Sequence, residues 1–381
     1  MAAVKVVLAT AYPADPRQPR GGVEAVSVAL AAALAREAGL EVHVVTADAS
    51  CTSARDSTND GVHVHRLPWR ARRMLAGATG AEGRAVRAAV DALAPDVVHA
   101  HDTYGIMVAD LPRPRVLTIH GFIHADTAVS GERFARLRAL AWRRVETAAW
   151  AKFPRIISIS PYVRERLTGF ATGVIHDIDN PIDDRFFAVE RRPQGRRVFT
   201  PASISPRKHT LGLLEAFAVL VARGVDATLR LAGPEPLPDY AAAARRRAAA
   251  PDLAGRVTFL PPLPTEGVAE ELAAARVMAL VSLEENAPMA VEEAMAAGVP
   301  VVTSNRCGMP YQVSDGESGC LVDPCDPDEV AGRLAEVLED EGLAARLAGR
   351  ARMVAEDRFR AATVARRTRE VYARAVAAGG A

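Results

Sequence analysis

Two glutamates in the second half of the chain have a type and spacing suited to binding hydroxyl groups. Glu285 and Glu293 are separated by seven residues, with Glu285 in a predicted loop and Glu293 near the start of the helix that follows. A carboxylate in such a position can accept two hydrogen bonds from a ribose diol. Each such charge-assisted bond contributes about 1.5–3 kcal/mol. The pair therefore predicts recognition of a sugar-containing ligand.

The helix start after Glu285 adds hydrogen-bond donors. Amides in the first turn of a helix lack carbonyl partners, and the helix dipole favours a phosphate or a sugar hydroxyl beside them. The residues assigned to this ligand contact are Asn286, Ala287, Pro288, Met289 and Ala290. An acidic helix start with ordinary packing is the alternative interpretation of the same segment.

Basic and imidazole side chains follow other predicted strands. Arg207 and Lys208 come shortly after the first strand of the second half, and His120 ends an apolar run in the first half. Among 47 basic residues only Lys5, Lys152 and Lys208 are lysines, so the lysine at 208 is a candidate for a required amine. Such groups suit contacts with phosphate and sugar, although a solvated turn and a satisfied strand-end histidine remain alternatives.

Glycines stand where a backbone could approach a ligand. Gly21 and Gly22 follow the first predicted strand and precede a helix, and the lack of a Cβ permits amides to come close to a phosphate. They do not form GxGxxG, so a nicotinamide-linked oxidoreductase has no fingerprint here. Gly233, which follows the predicted strand Ala227–Ala232, is assigned to the same ligand.

Short β-branched runs alternate with helical apolar spacing along most of the chain. This alternation predicts an α/β fold with doubly wound parallel sheets, in two series separated by a polar, proline-containing stretch at 180–197. We predict an N-terminal Rossmann-like domain at 1–183, a C-terminal one at 184–355, and a last helix at 356–381 that packs back on the N-terminal domain. Ligands of two such domains are expected in the cleft that faces the carboxyl ends of their strands.

Size and composition agree with two soluble domains. The 381 residues are too many for one ordinary α/β unit, and the net charge of +1 gives no reason to expect nucleic acid. No apolar run reaches the ~20 residues that span a bilayer. The first residues have the pattern of a strand and not of a signal peptide. The four cysteines lack metal-type spacing, which predicts reduced thiols and a cytoplasmic location.

The ordered segment around the two glutamates resembles a known family. Glu285 and Glu293, followed by Ala294–Val301, resemble the EX7E signature of glycosyltransferase family 4. That family has the GT-B fold, two Rossmann-like domains facing each other across a cleft, and transfers sugars with retention of configuration. Gly21–Glu24 resembles its GGxE loop near the donor phosphates. His120 resembles its cleft histidine, which contacts the transferred sugar. The resemblance covers nearly the full chain.

The family usually clamps the donor diphosphate with an arginine and a lysine that have four residues between them. Lys208 matches the lysine, but Ser203 occupies the arginine position, and Arg207 is the candidate replacement. The resemblance implies that these cations stabilise the leaving diphosphate, so that no metal and no cofactor is required. It makes His120, Lys208, Arg207 and Glu285 the catalytic candidates.

The resemblance implies transfer of a hexose-type sugar from a UDP- or GDP-sugar to an acceptor hydroxyl. Glu293 would hold the ribose, and the departing phosphate would accept the acceptor's proton. The acceptor class stays open between a small molecule, a glycolipid and a natural product. A sugar-nucleotide epimerase, or a nucleotide-sugar-binding protein that has lost activity with the arginine missing at Ser203, remains an alternative.

Two further segments carry side predictions. His99 and His101 could share a metal, but the sequence offers no third ligand, so no metal site is predicted. The helix-like stretch 131–153 carries basic residues beside large apolar ones, which is typical either of a solvated helix or of a helix that contacts anionic lipid. The second interpretation would place the protein transiently at the inner face of a membrane.

Overall fold

The computed structural model describes residues 3–128 and 134–379, and the chain divides into two compact units. Unit 1 is Met1–Pro181 with Ala361–Ala381, and unit 2 is Ile182–Arg360. The sequence predicted that the chain passes from the first domain to the second between residues 183 and 184, and that it returns to the first between residues 355 and 356. The backbone explains the difference, because Ile182 N donates to Phe359 O at 2.8 Å and so ties the two ends of unit 2 together.

Fourteen strands are formed within the described residues. They are β1 Val4–Ala9, β2 Leu40–Asp48, β3 Arg55–Asn59, β4 Val62–Pro68, β5 Val97–His101, β6 Arg115–Ile119, β7 Arg155–Ser158, β8 Val174–Asp177, β9 Arg197–Pro201, β10 Thr228–Ala232, β11 Val257–Leu260, β12 Val277–Leu280, β13 Val301–Ser304 and β14 Cys320–Val322.

Helices connect most of these strands. They are α1 Gly22–Ala35, α2 Met74–Thr79, α3 Ala81–Ala92, α4 Thr103–Val108, α5 Ile123–Ala128, α6 Ala135–Trp150, α7 Pro161–Leu167, α8 Asp184–Phe187, α9 Thr210–Ala222, α10 Pro238–Ala248, α11 Thr265–Ala274, α12 Met289–Ala296, α13 Pro327–Glu339, α14 Glu341–Arg358 and α15 Ala361–Gly379, with a 3₁₀ turn at Met309–Tyr311. Among the described residues, no helix has the length and apolar character needed to cross a bilayer.

Unit 1 is built on an eight-stranded sheet with the order β3-β4-β2-β1-β5-β6-β7-β8. All pairings are parallel except β3 with β4. The sequence did not predict β3, because its RDSTN segment has almost entirely exposed side chains. A two-residue turn forms it: Asp60 and Gly61 both have positive φ, 49° and 81°, as a type I′ hairpin requires.

The last helix belongs to unit 1. Tyr372, Val364 and Val371 of α15 are buried in the same apolar cluster as Leu30 and Leu34 of α1. The sequence began this last segment at residue 356, but α14 continues to Arg358 as a single helix within unit 2, and the return to unit 1 starts at Ala361.

Unit 2 has a six-stranded, fully parallel sheet with the order β11-β10-β9-β12-β13-β14. Two apolar clusters pack against it, with α9 and α13 in one and α8 and α12 in the other. Phe186 and Phe187 of α8 are buried, so the predicted linker at 180–197 is in part a packed element of unit 2. Because β9 and β12 are adjacent, their carboxyl-terminal loops meet, and this adjacency positions the candidate site.

Candidate active site

Arg207, Lys208 and Glu285 come together at the carboxyl edge of the unit 2 sheet. The Lys208 ammonium donates to Glu285 Oε1, and an Arg207 guanidinium nitrogen lies 3.1 Å from Glu285 Oε2. The two loops are also joined by their backbones, since Leu283 N donates to Arg207 O at 2.9 Å. The sequence assigned all three residues to one site but did not predict that Glu285 pairs with both cations.

The cations determine the charge state of Glu285. Its side chain is 8% exposed, and burial alone would raise its pKa. The charges of Lys208 and Arg207 outweigh burial and hold the pKa below its ordinary value. Glu285 is therefore ionised at neutral pH, and the three side chains together carry one net positive charge. Such a cluster can attract a phosphate, which would compete with Glu285 for the cations.

The loop after β9 is closely packed around Ser203. Ser203 Oγ and Ser205 Oγ are 3.1 Å apart, and Ser205 Oγ accepts a long 3.4 Å bond from Lys208 N. This packing requires a glycine at position 233, since a Cβ there would lie 2.3 Å from Ala202 O. Ser203 places no charge at the site, so the cationic groups of this loop are Arg207 and Lys208.

The start of α12 lies beyond Glu285. Pro288 is the N-cap residue, and the first-turn amides of Met289 and Ala290 have no carbonyl acceptor within the helix. The segment between Glu285 and the helix is held by Gly308, whose N donates to Glu285 O at 2.8 Å. A Cβ at Gly308 would lie 1.7 Å from the carbonyl oxygen of Asn286. Sequence reasoning missed Gly308, because nothing local to it indicates a contact with a segment 22 residues earlier.

Glu293 lies in the second turn of α12 and is partly buried. Burial, with a smaller contribution from the negative charge of Asp183, raises its pKa to about 7. The sequence treated Glu293 as a simple carboxylate. In this environment it is about half protonated at neutral pH. Hydrogen bonds from a diol favour the ionised form, so binding a diol here would release protons.

His120 directly follows β6 in unit 1. Its N donates to Asp102 Oδ1 at 2.7 Å, and its Nε2 lies 3.1 Å from His101 Nδ1. Burial lowers the pKa of His120, although the charge of Asp102 and a hydrogen bond with the Asn180 side chain oppose it. The imidazole is therefore neutral at neutral pH. It can hydrogen-bond a sugar hydroxyl but does not supply a positive charge.

Two carboxylates hold the loop after His120, the half-buried Asp102 and the buried Glu146, and sequence reasoning missed both. Asp102 Oδ1 also accepts from Gly121 N at 3.3 Å, and Glu146 accepts from Ile123 N at 3.0 Å and His124 N at 2.9 Å. Asp102 has a φ of 44°, an uncommon conformation for a residue other than glycine. A strand-end position could have identified Asp102. For Glu146 the signal is its position on the buried face of α6, between Trp142 and Trp150.

The neighbouring histidines serve the packing of unit 1. His99 Nδ1 bonds the Tyr372 hydroxyl at 2.6 Å, and His99 Nε2 bonds Thr118 Oγ1 at 2.7 Å, so protein groups occupy both nitrogens of His99. Within the described ranges, no group of three His, Cys, Asp or Glu side chains is arranged to hold a metal ion.

The predicted glycine loop lies at the start of α1. Gly21 is the N-cap residue with φ −174°, an extended conformation open to any residue, and Gly22 begins the helix. A Cβ on Gly21 would meet no atom within 4 Å. Unlike Gly233 and Gly308, Gly21 is not required by its own unit's packing.

Known protein families match the two halves of the chain in succession. Residues 20–186 match the model described as Glycosyltransferase Family 4, and residues 182–354 match Glycosyl transferases group 1. The two models together cover most of the sequence. The chain belongs to glycosyltransferase family 4.

Several curated relatives of this family 4 protein bear one name, D-inositol 3-phosphate glycosyltransferase. The one from Corynebacterium glutamicum (strain R) is 30% identical over 194 residues, which is 48% of this chain and 46% of the relative. The one from Mycolicibacterium smegmatis is 31% identical over 273 residues, 65% of this chain and 61% of the relative. The matches span about half the length of these relatives.

Solved structures confirm the GT-B fold expected from the sequence. Sucrose-phosphate synthase from Thermosynechococcus elongatus has a TM-score of 0.79 at 22% identity, with 98% of this chain and 100% of that chain covered. Anabaena HepE in complex with UDP and glucose has a TM-score of 0.72 at 19% identity, covering 97% and 99%. At these identities the likeness establishes the fold of this family 4 protein and nothing further.

Proposed function

We propose that this family 4 protein is a retaining glycosyltransferase that moves a hexose-type sugar from a nucleoside-diphosphate sugar to an acceptor hydroxyl without a metal. One observation carries the proposal. Lys208 and Arg207 converge on Glu285, at the carboxyl edge of the unit 2 sheet and next to the first turn of α12. The cluster has one net positive charge, and its carboxylate, Glu285, is the first glutamate of the segment that resembles the EX7E signature.

The cations would stabilise the leaving diphosphate. Negative charge develops on the phosphate as its bond to the anomeric carbon breaks, and preorganised positive groups at that point lower the barrier. Lys208 is 15% exposed and Arg207 is 43% exposed, so we expect Lys208 to contribute more because water screens it less. With these groups in place, neither a metal nor a cofactor is needed.

The remaining candidates have separate roles. Glu293 would accept hydrogen bonds from the ribose diol as its proton leaves, and Glu285 would contact sugar hydroxyls once the diphosphate takes its cations. The neutral His120 would hydrogen-bond the transferred sugar. The amides near Gly21 and Gly22 would approach the phosphates, which explains a glycine at 21 that unit 1 itself does not require.

The bond changes balance without a protein nucleophile. The anomeric carbon loses its bond to the diphosphate oxygen and gains a bond to the acceptor oxygen on the same face. The acceptor's hydroxyl proton passes to the departing phosphate. Retention then follows from same-face entry of the acceptor.

Two partners follow from the comparisons and the surface. HepE is described in complex with UDP-glucose, and starch synthase IV as bound to ADP, which supports a nucleotide-sugar donor, with UDP to be tested before GDP. The relatives' name makes a ring polyol the first acceptor class to test.

We also propose that α6 contacts anionic lipid at the cytoplasmic face. The apolar side chains at its start are largely exposed: Phe134 at 64%, Leu137 at 67% and Leu140 at 57%.

The same exposed surface of α6 supports the lipid proposal by its charge. It carries Arg136, Arg138, Arg143 and Arg144, while the one acid of the helix, Glu146, is buried. The first residues of the predicted segment, 131–133, lie outside the described residues. Pelleting with anionic liposomes that is lost in an Arg143/Arg144 double alanine variant would support the contact. Failure of the parent protein to pellet would contradict it.

Nucleotide binding tests the function. The parent protein, Glu293→Ala and the surface control Glu317→Gln are heated with UDP, GDP, TDP or ADP, each with and without EDTA. A ligand at a hundred times its Kd adds about 2.7 kcal/mol of stability. We expect one diphosphate to stabilise the parent and the control in EDTA, and to stabilise Glu293→Ala less. If no diphosphate binds, or if binding requires a divalent metal, the proposal is wrong.

A further inference from the structure

His209, the residue after Lys208, has a backbone conformation that is uncommon for a residue other than glycine. Its φ is 54° and its ψ is 38°, which is the left-handed region. Strained backbone of this kind persists only where the surrounding structure holds it, and it is concentrated at functional sites. Lys208 pairs with Glu285 in the charged cluster, so the strain lies directly beside a candidate catalytic group.

The two cations of the cluster occupy the middle of a tight turn. His209 N donates to Pro206 O at 3.0 Å, which closes a four-residue turn with Arg207 and Lys208 at its central positions. The carbonyl oxygen of His209 accepts from Leu213 N at 3.0 Å at the start of α9. The left-handed conformation of residue 209 therefore sets the angle between the turn that carries the cations and the helix.

The imidazole of His209 has two contacts that hold it in place. Its ring packs over Gly212, where a Cβ would lie 2.0 Å from His209 Nε2 and 2.2 Å from His209 Cδ2. Burial lowers the pKa of His209 and the charge of Arg306 lowers it further, while a hydrogen bond donated to the carbonyl oxygen of Pro324 opposes both. The ring is therefore neutral at neutral pH, and it joins α9 to the loop after β14.

These two contacts compensate for the strained backbone of residue 209. Glycine would adopt the conformation without strain but would make neither contact, and alanine would have the strain without the contacts. We propose that His209 is a positioning residue for Lys208, because its anchored ring holds the left-handed backbone that presents Lys208 to Glu285 and to a phosphate that displaces Glu285. This rests on the proposed function, which assigns Lys208 to the leaving diphosphate.

Initial rates of nucleoside-diphosphate release test the positioning role. His209→Ala keeps the strain and loses both contacts, so kcat should fall by about tenfold, the size of the left-handed penalty for a residue with a Cβ. His209→Gly adopts the conformation freely, so its kcat should stay within about threefold of the parent value. In the background Arg207→Ala/Lys208→Ala, His209→Ala should change the rate by less than about twofold, since no cation is left to position.

Gly212→Ala displaces the imidazole without changing residue 209. Alanine is favoured over glycine within a helix, so the variant should not lose stability through α9 itself. Its Cβ would meet the ring of His209, so kcat should fall as in His209→Ala. The double variant His209→Gly/Gly212→Ala has no ring to oppose the Cβ and should recover the rate of His209→Gly. This pair of variants serves if His209→Ala does not fold.

A second measurement does not require activity. Lys5, Lys152 and Lys208 are the lysines of the chain, so after reductive methylation with an isotope label their methyl NMR signals can be assigned with Lys208→Ala. His209→Ala should move the Lys208 signal toward its position in Glu285→Gln, where the lysine has lost its carboxylate. His209→Gly should leave that signal in place, and the other two signals should not move.

The matched control is Asp60→Ala, which places an alanine at another left-handed position, with φ 49°, in a turn of unit 1. It should leave kcat and the Lys208 signal unchanged. The proposal is overturned if His209→Gly loses as much rate as His209→Ala, if His209→Ala lowers the rate equally without the two cations, or if the Lys208 signal stays in place in His209→Ala. A signal that moves as expected in a protein without transferase activity would instead contradict the proposed function and leave the positioning role intact.

Discussion

In unit 1, burial moves the groups around His120 toward their uncharged forms. It lowers the pKa of His120 and of His101, and it raises the pKa of Asp102. In unit 2, the cations beside Glu285 do the opposite and hold that carboxyl ionised. The two polar clusters thus differ in what keeps them together. Hydrogen bonds hold the first cluster together, and attraction between opposite charges holds the second.

The difference indicates that the two clusters have different roles, one in positioning a loop and the other in binding an anion. The acids of unit 1, Asp102 and Glu146, bond to backbone amides and fix the loop that carries His120. The ion pairs of Lys208 and Arg207 join side chains, which can exchange Glu285 for a phosphate. We therefore expect substitutions in unit 2 to affect the reaction, and comparable ones around His99 to affect stability.

Lys208→Ala should give the largest effect. Loss of a preorganised cation at a developing negative charge should lower kcat by about 10²–10³-fold, or roughly 3–4 kcal/mol. Initial rates of nucleoside-diphosphate release from the donor identified by the binding assay measure it.

The matched control for that variant is Lys5→Ala, which removes a lysine of unit 1 paired with Glu41 at 3.5 Å. Its rate should stay close to that of the parent. If Lys208→Ala retains more than about a tenth of the parent rate, the charged cluster does not stabilise the leaving group. The expectation that substitutions in this cluster of unit 2 affect the reaction would then be wrong.

Glu293→Gln should change stability and binding in opposite directions. In the folded chain the pKa of Glu293 is raised to about 7, so its contribution to stability is fully present below about pH 4.5 and is lost as pH rises through 7, an effect of roughly 3 kcal/mol. Glutamine cannot ionise, so the variant should unfold at a higher temperature than the parent at pH 8, with the difference shrinking toward pH 5. Its affinity for the diphosphate should fall. A variant less stable than the parent at pH 8, measured by calorimetry, would contradict the expectation.

Much of the fold was predictable because its strands carry their own signal. Val4–Ala9 and Val97–His101 are apolar, β-branched runs of buried parallel strands. Arg55–Asn59 was missed because it pairs only through a hairpin turn and exposes its side chains. Cys320–Val322 is only three residues long and adds a sixth strand to unit 2.

The candidate site was predictable as residues but not as contacts. Lys208 and Glu285 were each identified from position and resemblance. Their pairing across 77 residues depends on β9 and β12 being neighbours in the sheet. No local sequence pattern predicts that adjacency. The raised pKa of Glu293 depends likewise on burial within unit 2. Asp102 acts by accepting hydrogen bonds from backbone amides, so its role could not be predicted without knowing the conformation of the loop.

Tyr372→Phe should affect stability and leave nucleotide binding unchanged. It leaves His99 Nδ1 buried without its 2.6 Å partner, which costs about 1–3 kcal/mol. The three tryptophans, Trp69, Trp142 and Trp150, all belong to unit 1, so their fluorescence in urea reports that unit. Tyr162→Phe, whose hydroxyl bonds Arg166 at a partly exposed position, is the control and should cost less than about 1 kcal/mol. A large loss of diphosphate affinity in Tyr372→Phe would break the division between the units.

Gly21→Ala should have the smallest effect on the stability of the fold. A change in diphosphate affinity in this variant would therefore report a contact between the ligand and the loop of Gly21. Because a Cβ there meets no atom within 4 Å and φ is −174°, its stability should stay within about 0.5 kcal/mol of the parent. Its affinity for the diphosphate should nonetheless fall. Gly233→Ala, where the Cβ would lie 2.3 Å from Ala202 O, should instead lose stability. If Gly21→Ala binds like the parent, Gly21 is a turn residue only, and the phosphates are held by unit 2 alone.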